Sequence, residues 1–160
     1  MKVGLAVREL HRAEKSLARD LLKVADRHHA EHEIHHVARD IAQWSREHVR
    51  LLAQAGEKYG LSLDDDVPHT SGPLAPLRAK LSDVTGRLAP PGLLLLADLR
   101  RLHRKVAGLS VDWELVAQGA QAVKDTELLE LAQKCHPQSL RQLTWTNAML
   151  KVHSPQILAS

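Results

Sequence analysis

Two side chains in this sequence stand where burial forces a chemical explanation. At about 100° per residue, Val7, Leu10, Leu17, Ala18, Leu21, Val24 and Ala25 gather on one face of a first helical segment, and Glu14 falls in the middle of it. A carboxylate in that setting must be paired, hydrogen-bonded, ligated or protonated, because burying it alone is costly. His48 lies on the core face of the next segment, among Ile34, Val37, Ile41, Trp44, Leu52, Ala55 and Tyr59. If the chain turns near His28–Ala30, Glu14 and His48 can meet across the hairpin. Glu114 flanks the apolar seam of a third segment. Acidic and imidazole side chains on inward helix faces are how carboxylate metal sites are built in helical bundles. Glu14, His48 and Glu114 are therefore a candidate metal set, with His11 or His103 as further donors. The plainer alternative is a buried Glu–His hydrogen bond that fixes helix register.

Other groups offer less. His28, His29, His32, His35 and His36 have helical spacings that can chelate a metal. The wheel sets them opposite Val37, Ile41 and Trp44, so the expectation is a solvated face whose charge rises as pH falls through about 6.5. Asp64–Asp66 lacks the glycine and closing glutamate of a calcium loop and reads as a polar turn. Cys135 is the single cysteine, which precludes an internal disulfide, fits a reducing compartment and points to a core or boundary thiol. There is no phosphate-cradling glycine loop and no Cys-x-x-Cys. With no Phe, one Tyr and three Trp, stacking surfaces for bases are nearly absent, so nucleic acid is not the expected partner. The net charge is a mild +3, and the run Arg100, Arg101, Arg104, Lys105 reads as a solvated face. No apolar run approaches the ~20 residues that span a bilayer.

The elements that must hold these groups are helices. A first segment, Val3 to Arg27, carries a basic outer stripe of Arg8, Arg12, Lys15, Arg19 and Lys23. A second, about Ala30 to Tyr59, stops at Gly60. Residues 61–91 form an irregular loop in which Leu74, Leu77, Leu81, Val84 and Leu88 keep the spacing of a short amphipathic helix. From Pro91, the seven-residue pattern Leu99, Leu102, Val106, Leu109, Trp113, Val116, Ala120, Val123 suits a bundle seam. Gly108 is a place to split it, with Ser110 as a new cap. Asp125-Thr126 reads as a turn or cap. A short helix through Leu128, Leu129, Leu131, Ala132 and Cys135 follows. Pro137 then opens a last helix, with Leu140, Leu143, Thr144 and Leu150 inward, ending at Ser154-Pro155. The expected fold is one all-α domain over residues 1–160: an antiparallel four-helix bundle of two hairpins, 3–59 and 91–153, with one or two short additional helices.

RAEKSLARDLLKVADRH, followed by a helix ending REHVRLLAQAGEKYG, resembles the first hairpin of ferritin-like bacterial proteins, in particular small stress-associated members of undefined function. WELVAQGAQAVKDTELLELAQ, with RQLTW later, is similar to their second hairpin. The resemblance implies a di-iron centre built from an early glutamate of helix one, a histidine-containing helix two and a glutamate of helix three. Glu14 and Glu114 match the two single glutamates. The Glu-x-x-His elements depart from the pattern. Glu33-x-x-His36 lies close to the turn, and the last helix reads Gln138-x-x-Arg141, where an arginine offers no lone pair and repels a cation. The expectation is thus a cytoplasmic, non-catalytic ferritin-like bundle with its di-metal site degenerate or lost. Its cofactor, if it has one, would be a divalent metal such as iron; it would pair with a second copy of itself and play a stress-related part that the resemblance alone suggests. Two alternatives stand beside it. One is a protein binding iron, manganese or zinc through Glu14, His48 and Glu114. The other is a helical interaction module using the basic face.

Overall fold

The computed structural model describes residues 2–67 and 90–160, which form four helices and, among the described residues, no strand. α1 spans Val3–Arg27 and α2 His32–Glu57, while α3 spans Pro91–Ala122 and α4 Thr126–Ala159. The protein is an all-α four-helix bundle. α1 packs on α2 and α3, α4 packs on α3, and the α2–α4 contact is the thinnest of the four. Along the α1–α3 seam, Arg27 meets Asp98, Asp20 meets Lys105, Glu14 meets Trp113 and Val3 approaches Gly119, so residue numbers rise on one helix as they fall on the other. His48 meets Gln138 and Ser45 meets Gln142 in the same opposed sense, and adjacent helices are antiparallel throughout.

The α1 face read from periodicity is the buried one: Val7, Leu10, Leu17, Ala18 and Leu21 are sealed, and Glu14 is sealed among them. α2 sits slightly rotated from expectation. Its interior face is Ile34, Ala38, Ile41, Ala42, Ser45, His48, Val49, Leu52, Ala53 and Gly56, while Val37, Trp44, Ala55 and Tyr59 occupy its half-buried edge. Gly60, with φ +72°, takes the left-handed conformation that turns the chain after α2, where Leu61 N–H reaches back to the Gly56 carbonyl. The chain then returns along α1 and α2. Val67 packs on Ala18 and Val49, Asp64 accepts from Lys15, and the Asp66 carboxylate accepts from the Val67 amide. The short helix expected between Leu74 and Leu88 lies outside the described residues.

The second hairpin corrects three expectations. α3 does not split at Gly108 but runs unbroken from Pro91, and Ser110 is no cap: its hydroxyl shares a hydrogen bond with His136. α4 likewise runs straight through both Pro137 and Pro155. An interior proline strips the carbonyl four residues earlier of its partner. At Pro137 that carbonyl belongs to Gln133, and both residues are exposed, so water can serve it. Third, the continuous helix sets the phase of α4 from Leu128. Its inward residues are Leu128, Ala132, Cys135, Ser139, Gln142, Thr146 and Met149, while Leu140 and Thr144 face outward and Leu143 and Leu150 are half-buried.

Two polar ties join the hairpins at the ends of the bundle. At one, Asp98, 1 % exposed, accepts from Arg27, His28 and Arg101. At the other, Asp125 caps α4 through the Leu128 amide and also accepts from Tyr59 and Lys58 at the end of α2. The Tyr59 hydroxyl beside it holds the Asp125 carboxyl below its usual range, while burial and that same carboxylate push Tyr59 up to about 12. The residue before this cap, Lys124, has φ 58°, a left-handed conformation that costs a non-glycine residue about 1 kcal/mol. Lys124→Gly should therefore raise the thermal midpoint by roughly 2–4 °C. A calorimetric scan that finds the variant less stable would show that the lysine side chain contributes more than its backbone costs.

Candidate functional site

The centre of the bundle is polar, and all four helices send side chains to it. Glu14 from α1 and His48 from α2 are both fully buried. His48 Nδ1 lies 2.7 Å from Glu14 Oε1, and its Nε2 lies 2.7 Å from Gln138 Oε1 on α4. Trp113 Nε1 on α3 donates to the same Glu14 oxygen at 2.8 Å. The Trp113 and His48 rings meet edge to face, with centroids 5.5 Å apart. Both partners placed against His48 are oxygens, one of a carboxylate and one of an amide, an arrangement that suits an imidazolium donating through both ring nitrogens. Burial pulls its pKa down, but Cys135 and Glu14 more than offset that, and the net value is pushed up to about 10. The result is a buried ion pair braced by an indole and an amide.

A second polar layer continues along the α2–α4 contact. Gln142 donates to the Ile41 carbonyl and to Ser45 Oγ, each at 2.9 Å. Glu14 Oε2, Ser139 Oγ and Gln142 Oε1 are buried with no hydrogen-bond partner among the described residues. Each such group costs about 1–3 kcal/mol of desolvation. The interior is therefore arranged around a specific polar geometry and not for stability alone.

The expected triad is only partly assembled. Glu14 and His48 are brought together, but Glu114 is exposed on α3 and belongs to no central cluster. The seam turns Trp113 and Val116 inward, and a residue adjacent to Trp113 points about 100° away. His11 is buried against the 61–67 segment, donating to the Asp64 carbonyl at 2.6 Å, and His103 donates to Thr146 between α3 and α4. The histidine run does not form one solvated face. His28 ends α1 rather than starting α2, is 7 % exposed, and binds Asp98. His35 is half-buried and donates to the Ala25 carbonyl, leaving His29, His32 and His36 exposed.

Trp113 is the member that sequence reasoning missed as a polar partner, and Gln138 was noted only as the residue standing where the resemblance places a ligand. Trp113 reads as one more apolar seam residue, although an indole N–H in a core needs an acceptor and so points to a polar neighbour. What the sequence reading lost on α4 was the phase of its buried face, beside which the half-buried Gln138 lies. The pattern 128, 132, 135, 139, 142, 146, 149 alternates steps of four and three and was visible in the chain. Cys, Ser, Gln and Thr in four of its places disguised it as a polar surface.

The donor set can be tested against the metal centre that such a bundle could carry. A carboxylate di-metal site takes a glutamate from each of two helices and a Glu-x-x-His pair from each of the others. The side chains converging here are Glu14, Ser45, His48, Trp113, Cys135, Gln138, Ser139 and Gln142, with one carboxylate among them. Both nitrogens of the one imidazole are committed to hydrogen bonds. Among the described residues no group of three or more His, Cys, Asp or Glu is placed to hold a metal ion. The residues do not fit a di-metal centre.

Fold and site together define an all-α four-helix bundle with a hydrogen-bonded, charge-paired core, and no helix among the described residues is long and apolar enough to cross a membrane. No protein-family model, curated protein or solved structure matches the chain.

Proposed function

We propose that this protein is a non-catalytic helical bundle of the ferritin-like type, whose centre carries a hydrogen-bonded tetrad where such bundles carry metal. The observation that supports this reading is the convergence of Glu14, His48, Trp113 and Gln138, one from each helix, with the donors and acceptors of the imidazole and of Glu14 Oε1 mutually committed. Ser45 stands three residues before His48, the spacing of a Glu-x-x-His element, so the pattern reads Ser45-x-x-His48 with a hydroxyl in the carboxylate's place. Glu33-x-x-His36 sits exposed near the start of α2, far from this level. A tryptophan then fills the space of α3's contribution. On this reading the tetrad fixes the register of four helices, and the protein acts through its surface. A reducing, cytoplasmic setting fits its single buried cysteine. A part in stress adaptation rests on the sequence resemblance.

Tag-free protein titrated with Fe(II), Mn(II) and Zn(II) tests this. We expect no stoichiometric binding that depends on the core, and any weak retention should disappear in His32→Ala with His36→Ala, whose exposed rings lie 4.4 Å apart. Stoichiometric iron or manganese that survives that change and is lost in Glu14→Ala would replace the proposal with the metal-binding alternative.

A further inference from the structure

Among the described residues, one face of the bundle carries apolar side chains that nothing covers. Leu5 on α1 and Val111 and Leu115 on α3 are each more than half exposed, at 56 %, 53 % and 59 %. Leu5 and Leu115 form the banks of a cleft of about 250 Å³ between the two helices, with Ala6, Glu9 and Asp112 lining the rest. Burial and the neighbouring Glu9 both push the Asp112 carboxyl above its usual range, the mark of an acid lacking a cation. On α1 the helical wheel fans Glu9, Leu5, Arg12 and Arg8 outward from the cleft over about 100°. The apolar patch thus has the half-buried Asp112 and the exposed Glu9 at its cleft and exposed arginines on its flank. Arg12 reaches Glu9 only at 3.6 Å, between two well-exposed side chains, a contact of little strength.

We infer that this α1–α3 face is the contact surface of a homodimer, in which Arg8 and Arg12 of each copy lie over the Glu9–Asp112 cleft of the other and Leu5, Val111 and Leu115 pack between them. The occupant follows from the charge pattern. An acidic partner would be repelled by the cleft, and a basic one by the arginine flank. A partner must carry both signs around an apolar centre in the rotated arrangement, and this chain presents that surface. A two-fold axis satisfies the pattern twice, because residue i meets j where j meets i. The chain's net charge of +3 sets up little overall repulsion between copies. The inference does not depend on the reading of the core.

Sedimentation equilibrium over micromolar to near-millimolar concentration reads the outcome directly. The wild-type protein should show twice the chain mass. Leu115→Glu, an exposed change that leaves the helical circular-dichroism signal intact, should weaken dimerisation at least roughly tenfold. A charge exchange identifies the surface. Arg8→Glu with Arg12→Glu should be monomeric, since acid then meets acid, and Glu9→Lys with Asp112→Lys should be monomeric for the opposite reason. Mixed in equal amounts the two variants should form a heterodimer, because both contacts are then attractive. A monomeric wild type overturns the inference. So does a wild-type dimer that survives Leu115→Glu, or a mixture of folded charge variants that stays monomeric, either of which would place the contact on another face.

Discussion

Glu14→Ala should be the most damaging single substitution in the bundle, lowering stability by about 3–5 kcal/mol and the thermal midpoint by roughly 10 °C or more. It leaves the His48 ring buried with the Gln138 amide oxygen and the Cys135 sulfur but no carboxylate, and takes the acceptor from the Trp113 indole. Removing the charge pair as a unit should cost far less. Glu14→Leu with His48→Leu replaces two desolvated ions by apolar volume, and such exchanges are often neutral. Urea denaturation of both single variants and the double variant measures the coupling. A double variant as unstable as Glu14→Ala would mean that the ion pair is not what the substitution disrupts. The pair also fixes a pH signature. His48 titrates near 6.5 when unfolded and at about 10 when folded, so its contribution is fully present below about pH 6.5 and is lost as pH rises through about 10. Wild type should therefore lose stability between those limits, and the double leucine variant should lose less over the same interval.

That pair was legible in the sequence because it breaks a pattern. Glu14 interrupts a run of apolar residues at helical spacing, and no periodic reading accommodates it without a partner. The first hairpin was readable for the same reason: strong amphipathicity fixes which side of α1 faces inward. The second hairpin was harder. α4 buries Cys135, Ser139, Gln142 and Thr146 on the face that a hydrophobic template expects to be Leu or Val. The template therefore settled on Leu140, Leu143 and Leu150, which share a spacing but not a seam. Pro137 added a false boundary, since a local rule about proline yields when tertiary packing holds both sides of the helix and the freed carbonyl faces water. Glu114 was placed at the flank of the seam and in the candidate set by the resemblance, but one residue past the inward Trp113 it turns to solvent. His28 illustrates the same limit. Its burial depends on where α1 stops, and a shift of one or two residues at a helix end decides whether a side chain joins an ion cluster or the solvent.

Asp98→Ala should be the second most damaging change, and it acts on the relation between the hairpins, not on the centre. Burial raises the Asp98 carboxyl, but the His28 hydrogen bond, with Arg27 and Arg101 beyond it, overcomes that and holds the group below its ordinary range. The carboxylate is thus ionised and satisfied by three donors, at 2.7 Å from His28 Nε2, 2.8 Å from Arg101 and 3.1 Å from Arg27. Removing it strands a buried histidine, while the two arginines, 21 % and 49 % exposed, can turn to water. The expected loss is therefore about 2–3 kcal/mol, smaller than at Glu14, with a fall in midpoint of roughly 5–10 °C. The sign of its pH dependence is opposite to that of His48. A carboxyl depressed in the folded state stabilises above its unfolded pKa of about 3.9, and the contribution disappears as pH falls through the folded value. Acid unfolding of wild type and Asp98→Asn separates the two sites. The variant should lie closest to wild type in strong acid and fall furthest behind it near neutrality, whereas a constant difference at every pH would mean that Asp98 acts by shape alone. Because Arg27 and His28 end α1 and Asp98 lies two turns into α3, hydrogen exchange should report the damage first at the end of α1 and in the opening turns of α3, with the core amides around Glu14 retaining their protection until global unfolding.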